Sequence, residues 1–209
     1  MSLPSTAQTL ISGNTSICRI LNGMWQVSGA HGPINPDAAV KSMIQHHDSG
    51  FTTWDLADHY GPAEDFIKIF RDNLQKTRGS SSLESIQAFT KWVPRPGPMT
   101  RELVEANIDI SISRMGVSYL DMLQFHWWDY QDDRYLEALH HLDDLRQSGK
   151  IRHLSVTNFD TKRLEVMVTN NIPITSNQIQ FSLIDRRPQV DMINFCKDHK
   201  IKLLTYGTL

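Results

Sequence analysis

A (β/α)8 TIM-type barrel lacking its eighth βα unit is the architecture that this 209-residue chain predicts. Three observations carry the prediction. Short apolar runs alternate strictly with longer helix-like segments, which implies parallel strands joined by right-handed crossovers. No strand leads into a GxGxxG or Walker phosphate loop, which weakens the open doubly wound alternative. Polar, reactive residues also recur at the C-terminal ends of successive strands: Asp55, Lys91, His126, Asn158, Gln178 and Tyr206. In a closed barrel those ends meet at one mouth, where active sites are built.

The elements follow in order. "RILNGMWQ" (19–26) reads as the first strand and "NPDAAVKSMIQHHDSG" (35–50) as the first helix. Asn35 can cap that helix, Pro36 suits its first position, Val40, Met43, Ile44 and His47 share a face, and Gly50 can close it. "FTTWD" (51–55) is the second strand; after Gly61-Pro62 comes a helix with Phe66, Ile67 and Phe70 as its apolar stripe. "SIQAFTKW" (85–92) is the third strand, and Thr100 can cap a helix carrying Leu103, Val104, Ile108, Ile112 and Met115 before Gly116. "YLDMLQFHWW" (119–128) is the fourth strand, followed by a helix marked by Leu136, Leu139, Leu142 and Leu145 that ends near Gly149. "IRHLSVTNF" (151–159) is the fifth, with Asp160 capping a helix that carries Leu164, Met167 and Val168. "ITSNQIQFS" (174–182) and "IKLLTYGTL" (201–209) complete the set, separated by a helix around Ile193 and Cys196. Seven strands and six helices are expected, in one domain spanning 1–209.

Composition excludes several classes. The chain is 40% hydrophobic and 21% charged, as an ordinary globular protein is. A formal charge of −2 and the lack of a Lys/Arg-rich block leave no basic field for nucleic acid. Cys18 and Cys196 form neither a CxxC motif nor a disulfide framework, which fits a reducing cytoplasm. The N-terminus lacks the basic start and apolar run of a secretory signal, and no stretch approaches a membrane span. The expectation is a cytoplasmic protein without nucleic-acid or membrane partners; nothing in the sequence specifies an oligomeric state. Asp55, Asp58 and His59 include metal-ligand types, but their spacing matches no common site, and His46-His47 and His140-His141 are adjacent pairs whose members point apart on a helix. No metal is expected.

The order Asp55, Tyr60, Lys91, His126 resembles the catalytic tetrad of the aldo-keto reductases. The resemblance extends through "WDLADHYG" (54–61), "FTKWVP" (89–94), "LQFHWW" (123–128), "SVTNFD" (155–160), "SNQIQFS" (176–182) and "LTYGTL" (204–209). It implies reduction of an aldehyde or ketone by a reduced nicotinamide, usually NADPH, with Tyr60 as proton donor. Phenols titrate near ~10, so a neighbouring cation helps one to exchange a proton at neutral pH. Lys91 can be that cation, Asp55 can hold its ammonium charged and oriented, and His126 can hydrogen-bond the substrate carbonyl. The same resemblance assigns Thr157, Asn158 and Gln178 to the nicotinamide carboxamide and Tyr206 to the ring stack, and counts Asp55 among the cofactor-binding residues as well. Thr157 stands where serine is more usual and keeps the hydroxyl. Trp25, Trp92 and Trp127 resemble an apolar substrate wall, suited to an aromatic or apolar carbonyl and compatible with a specialised biosynthetic pathway.

The sequence given ends at Leu209, just past the seventh strand, whereas a barrel of this kind runs to about 250 residues. In aldo-keto reductases the region beyond grips the cofactor phosphates. The expectation is a complete tetrad with an incomplete cofactor clamp, hence little or no turnover by these 209 residues. The alternatives are an inactive truncated remnant and a regulatory binding module of the same fold.

Overall fold

The computed structural model describes residues 7–30 and 32–208. The first six residues, His31 and Leu209, the last residue of the expected seventh strand, lie outside the described residues. Contacts divide the chain into two compact units. One is drawn from the chain up to Thr90 with Ile108–Asp121, the other from Lys91–Asn107 with the chain from Met122 onward.

Among the described residues the chain opens with an antiparallel hairpin, β1 (Gln8–Ser12) and β2 (Thr15–Cys18). It then alternates β3 (Asn22–Gly23), α1 (Pro36–Asp48), β4 (Thr53–Asp55), α2 (Ala63–Arg78), β5 (Gln87–Trp92), α3 (Arg101–Met115) and β6 (Leu120–His126). α4 (Tyr135–Gln147), β7 (Ile151–Thr157), α5 (Thr161–Thr169), β8 (Ser176–Gln180), α6 (Met192–Asp198) and β9 (Lys202–Tyr206) complete it. Among the described residues seven strands, β3 to β9, are hydrogen-bonded in chain order, the order of a barrel and not of a doubly wound sheet.

The hairpin is an addition to the expected elements. Ser12 pairs with Thr15, leaving Gly13-Asn14 as a two-residue loop, and Gly13 adopts φ +51°, the left-handed region that such a turn needs. The expected first strand shrinks to Asn22–Gly23. Its hold on β4 is partly side-chain: Asn22 Nδ2 donates to Phe51 O at 3.0 Å and to Thr53 O at 3.1 Å. Trp25 and Gln26, assigned to that strand, instead lie in a 3-10 turn, Trp25–Val27.

Helix starts follow local chemistry. Asn35 Oδ1 accepts from Ala38 N–H at 3.0 Å and Asp160 Oδ1 accepts from Arg163 N–H at 2.8 Å. Thr100 Oγ1 accepts more weakly from Leu103 N–H, at 3.3 Å. The inward stripe of α3 runs through Val104, Ile108, Ser111 and Met115, while Leu103 faces solvent. The core of the first unit gathers Trp54, Ile67, Phe70 and Phe89; that of the second gathers Phe125, Trp127, Leu139 and Phe159. Each such side chain contributes about 1.5–3 kcal/mol on burial.

Candidate active site

The first unit supplies Asp55 and Tyr60. Thr53 and Trp54 are buried and bring β4 through the interior, so that Asp55 ends the strand half-exposed. Leu56 N–H continues the pairing by donating to Phe89 O at 2.8 Å, and Leu56 and Ala57 are fully buried. The chain then turns: Tyr60 N–H donates to Ala57 O and Ala63 N–H to Tyr60 O, each at 3.1 Å. Gly61 follows at φ +53°, where an added Cβ would stand 2.9 Å from the backbone oxygen of Ser28. Glycine is required there both by conformation and by space. The Tyr60 ring lies edge-on to Trp25, centroids 5.1 Å apart, and Trp25 is itself 45% exposed. Asp58 and His59 bond to each other at 2.8 Å.

Beneath that turn is a group of residues that periodicity does not reveal. Glu64, in the first turn of α2, is fully buried and lies 2.9 Å from Arg114 of α3. Desolvation pushes its carboxyl above the usual range, against the lowering effect of its bonds to Thr90 and Ser111 and of Arg114.

The second unit supplies Lys91 and Trp92 in β5, His126 at the end of β6, and the remaining candidates. Lys91 is 2% exposed, an environment that makes an ammonium costly unless paired. The buried His126 packs its ring 4.5 Å from that of Trp128, which is 65% exposed. Trp92 and Trp127 are both buried, Trp92 against Phe125 at 5.6 Å and Trp127 with its indole N–H donating to Asp129 O and Asp132 O. Of the three tryptophans read as a wall, Trp25 is the one with exposed surface; Trp92 and Trp127 are buried and so form no wall toward solvent.

Asn158 is the focus of this unit. Parallel register sets Thr157 beside Gln178 and Gln180 beside Tyr206. Immediately after β7, Asn158 takes φ 61°, a left-handed conformation that asparagine tolerates better than most residues. Its N–H donates to Gln178 O at 2.8 Å, and its carbonyl accepts from the Tyr130 hydroxyl at 2.8 Å. Its Oδ1 accepts from the Tyr206 hydroxyl at 2.9 Å. Burial pushes the Tyr130 phenol up to about 12, which keeps it a donor at any ordinary pH. A cavity of about 420 Å³ borders this corner, lined by Asn158, Ile179, Gln180, Arg187, Met192 and Tyr206 among others. Next to Asn158, the Thr157 hydroxyl is buried without a hydrogen-bond partner, a state that buried polar atoms rarely keep. A carboxamide, which carries both donors and an acceptor, is a suitable complement to that oxygen. Among the described residues no group of three His, Cys, Asp or Glu is placed to hold a metal ion, and no helix is long and apolar enough to cross a membrane.

Comparison with known proteins bears on the fold and the family. The chain is 26% identical over 177 residues to L-glyceraldehyde 3-phosphate reductase of Escherichia coli, covering 78% of this chain and 49% of that one. It is 28% identical over 188 residues to the oxidoreductase YtbE of Bacillus subtilis, covering 90% of this chain and 62% of the relative. The chain thus spans about half to two thirds of the length of these curated relatives. Among solved structures, a thermostable aldo-keto reductase in complex with the inhibitor epalrestat superposes with a TM-score of 0.81 at 23% identity, covering 95% of this chain and 71% of that chain. A Bombyx mori aldo-keto reductase in complex with NADP gives 0.81 at 19% identity, covering 99% and 67%. These likenesses establish the fold as that of the (β/α)8 barrels, with seven of the eight strands present in this chain. The Aldo/keto reductase family profile matches residues 19–209, and the chain belongs to that family.

Proposed function

We propose that this chain carries the chemistry of an NADPH-dependent carbonyl reductase, converting an aldehyde or ketone to the alcohol in the cytoplasm. Tyr60 is the proton donor to the carbonyl oxygen. Lys91 lowers the cost of the phenolate left behind, Asp55 holds Lys91, and His126 orients the carbonyl through a hydrogen bond. Bound NADPH supplies the hydride that the carbonyl carbon accepts. Thr157, Asn158 and Gln178 hold its carboxamide, and Tyr206 covers the nicotinamide ring. Trp25, next to Tyr60, presents an aromatic face to the substrate; Trp92 and Trp127, being buried, present none.

The observation that carries the reading is the corner at Asn158: a left-handed asparagine bonded to Tyr206, Tyr130 and Gln178, beside an unsatisfied buried threonine hydroxyl. Titration of the protein with NADPH, followed by tryptophan fluorescence, tests it. Thr157→Val keeps the shape and removes the hydroxyl, so it should weaken NADPH binding about tenfold, the worth of one well-made hydrogen bond. Absence of binding by the wild-type protein, or a dissociation constant indifferent to Thr157→Val, counts against the assignment.

A further inference from the structure

The turn that carries Tyr60 has two backbone bonds at that residue, Tyr60 N–H to Ala57 O and Ala63 N–H to Tyr60 O, and Arg114 adds a side-chain hold on it. One arm of the guanidinium donates to the carbonyl of Asp58 at 3.0 Å and the other to the carbonyl of Gly61 at 2.6 Å, so the two bonds bracket Tyr60. The same group meets Asp65 at 2.8 Å and Glu64 at 2.9 Å. Glu64 in turn accepts from the Thr90 hydroxyl at 2.6 Å, and Thr90 is the residue before Lys91 in β5. A rigid planar fork with five donors can hold two carbonyls and two carboxylates at once, whereas an ammonium cannot reproduce that geometry. Buried ion pairs contribute little net stability against an apolar replacement, because desolvation offsets their attraction; what such a pair supplies here is fixed geometry. On the far side of the turn, Gly61 abuts the Ser28 backbone and Trp25 abuts the Tyr60 ring.

We propose that Arg114 and Glu64 are positioning residues for Tyr60: Arg114 clamps both ends of the Asp58–Gly61 segment, and Glu64 fixes Arg114 while anchoring it to β5 through Thr90. The idea rests on Tyr60 being the proton donor. Neither residue touches substrate or cofactor; each acts through where it holds the phenol.

The test compares the full chain with Arg114→Gln, Arg114→Lys and Glu64→Gln by amide hydrogen exchange over residues 58–61 and by steady-state reduction of 4-nitrobenzaldehyde with NADPH. Arg114→Gln should speed exchange at Tyr60 by about tenfold or more, since it removes bonds that close the turn. It should lower kcat by about 10–100-fold with KM changed less than about threefold, as misplacement of a reacting group does. Arg114→Lys should recover part of both, and Glu64→Gln should move both in the same direction by less. Exchange over 58–61 that matches the wild type in Arg114→Gln overturns the clamp, as does a fall in activity confined to KM. If Arg114→Gln fails to fold, Arg114→Lys and Glu64→Gln give the same two readings, and wild-type values in both overturn it equally. Failure of the underlying assignment looks different: Tyr60→Phe then turns over like the wild type, while exchange over 58–61 decides by itself whether Arg114 holds the turn.

Discussion

The turn at Tyr60 and the strand end at Asn158 are held in opposite ways. Around Tyr60, Arg114 closes on two carbonyls and two carboxylates, and Gly61 leaves no room for even a methyl group against Ser28. Around Asn158 the backbone is held in a left-handed conformation by Tyr130 and Gln178, yet the neighbouring Thr157 hydroxyl has no partner and a cavity of about 420 Å³ lies alongside. On the proposed assignment, the difference is a division of labour. A proton donor works when its position is fixed beforehand, whereas a cofactor pocket must leave polar atoms unsatisfied for a ligand to complete.

Substitutions at the two places should therefore behave differently. The largest effect on stability is expected from Gly61→Ala. A positive φ and a Cβ 2.9 Å from a backbone oxygen together cost about 1–3 kcal/mol, which a lowered thermal midpoint would register. Thr157→Val should do the reverse of a normal core polar substitution: removing an unsatisfied hydroxyl leaves the stability of the free protein unchanged or raised by up to about 1 kcal/mol, although NADPH binding weakens. A large loss of stability there would mean that the hydroxyl is bonded after all, and the contrast between the two regions would be gone.

Glu64 gives a smaller, pH-dependent effect. Its folded carboxyl titrates above the ordinary value because burial disfavours the anion. The folded state therefore holds the proton more tightly than the unfolded chain, and stability from this group declines as pH rises from the ordinary carboxylate range through the raised folded value. Glu64→Gln has no such slope. Urea midpoints at several pH values should show the wild type losing ground to Glu64→Gln as pH rises. The wild type gaining ground instead would show that pairing with Arg114 outweighs burial.

Much of the fold was legible because it is written in short-range periodicity. All six helices and the seven strands of the parallel sheet were anticipated, and the capping roles of Asn35 and Asp160 follow from residue type and position. The hairpin lies outside the alternating pattern: its Gly13-Asn14 turn is a recognisable signal, but β1 is mostly exposed and carries no apolar run to mark it as a strand. An apolar run does not show where pairing stops, so the first strand is shorter than its run, Asn22–Gly23. At the site, residue types at strand ends marked Asp55, Lys91, His126, Asn158, Gln178 and Tyr206, but not their environments. Two adjacent tryptophans after β6 gave no sign that Trp127 turns inward and Trp128 outward. Glu64 stands in the first turn of α2, where an acidic residue suits the helix dipole without being buried; that it is fully buried depends on Arg114, fifty residues later in the chain, and on Thr90. Partners that distant leave no mark on local pattern.

The assignment of Tyr60 as proton donor is tested most directly by Tyr60→Phe, which keeps the ring and removes one oxygen. General acids contribute roughly 10²–10⁴-fold, so oxidation of NADPH by 4-nitrobenzaldehyde should fall by about that factor, while the NADPH dissociation constant from tryptophan fluorescence stays within about twofold. Turnover by Tyr60→Phe at the wild-type rate, with NADPH bound, would contradict the account.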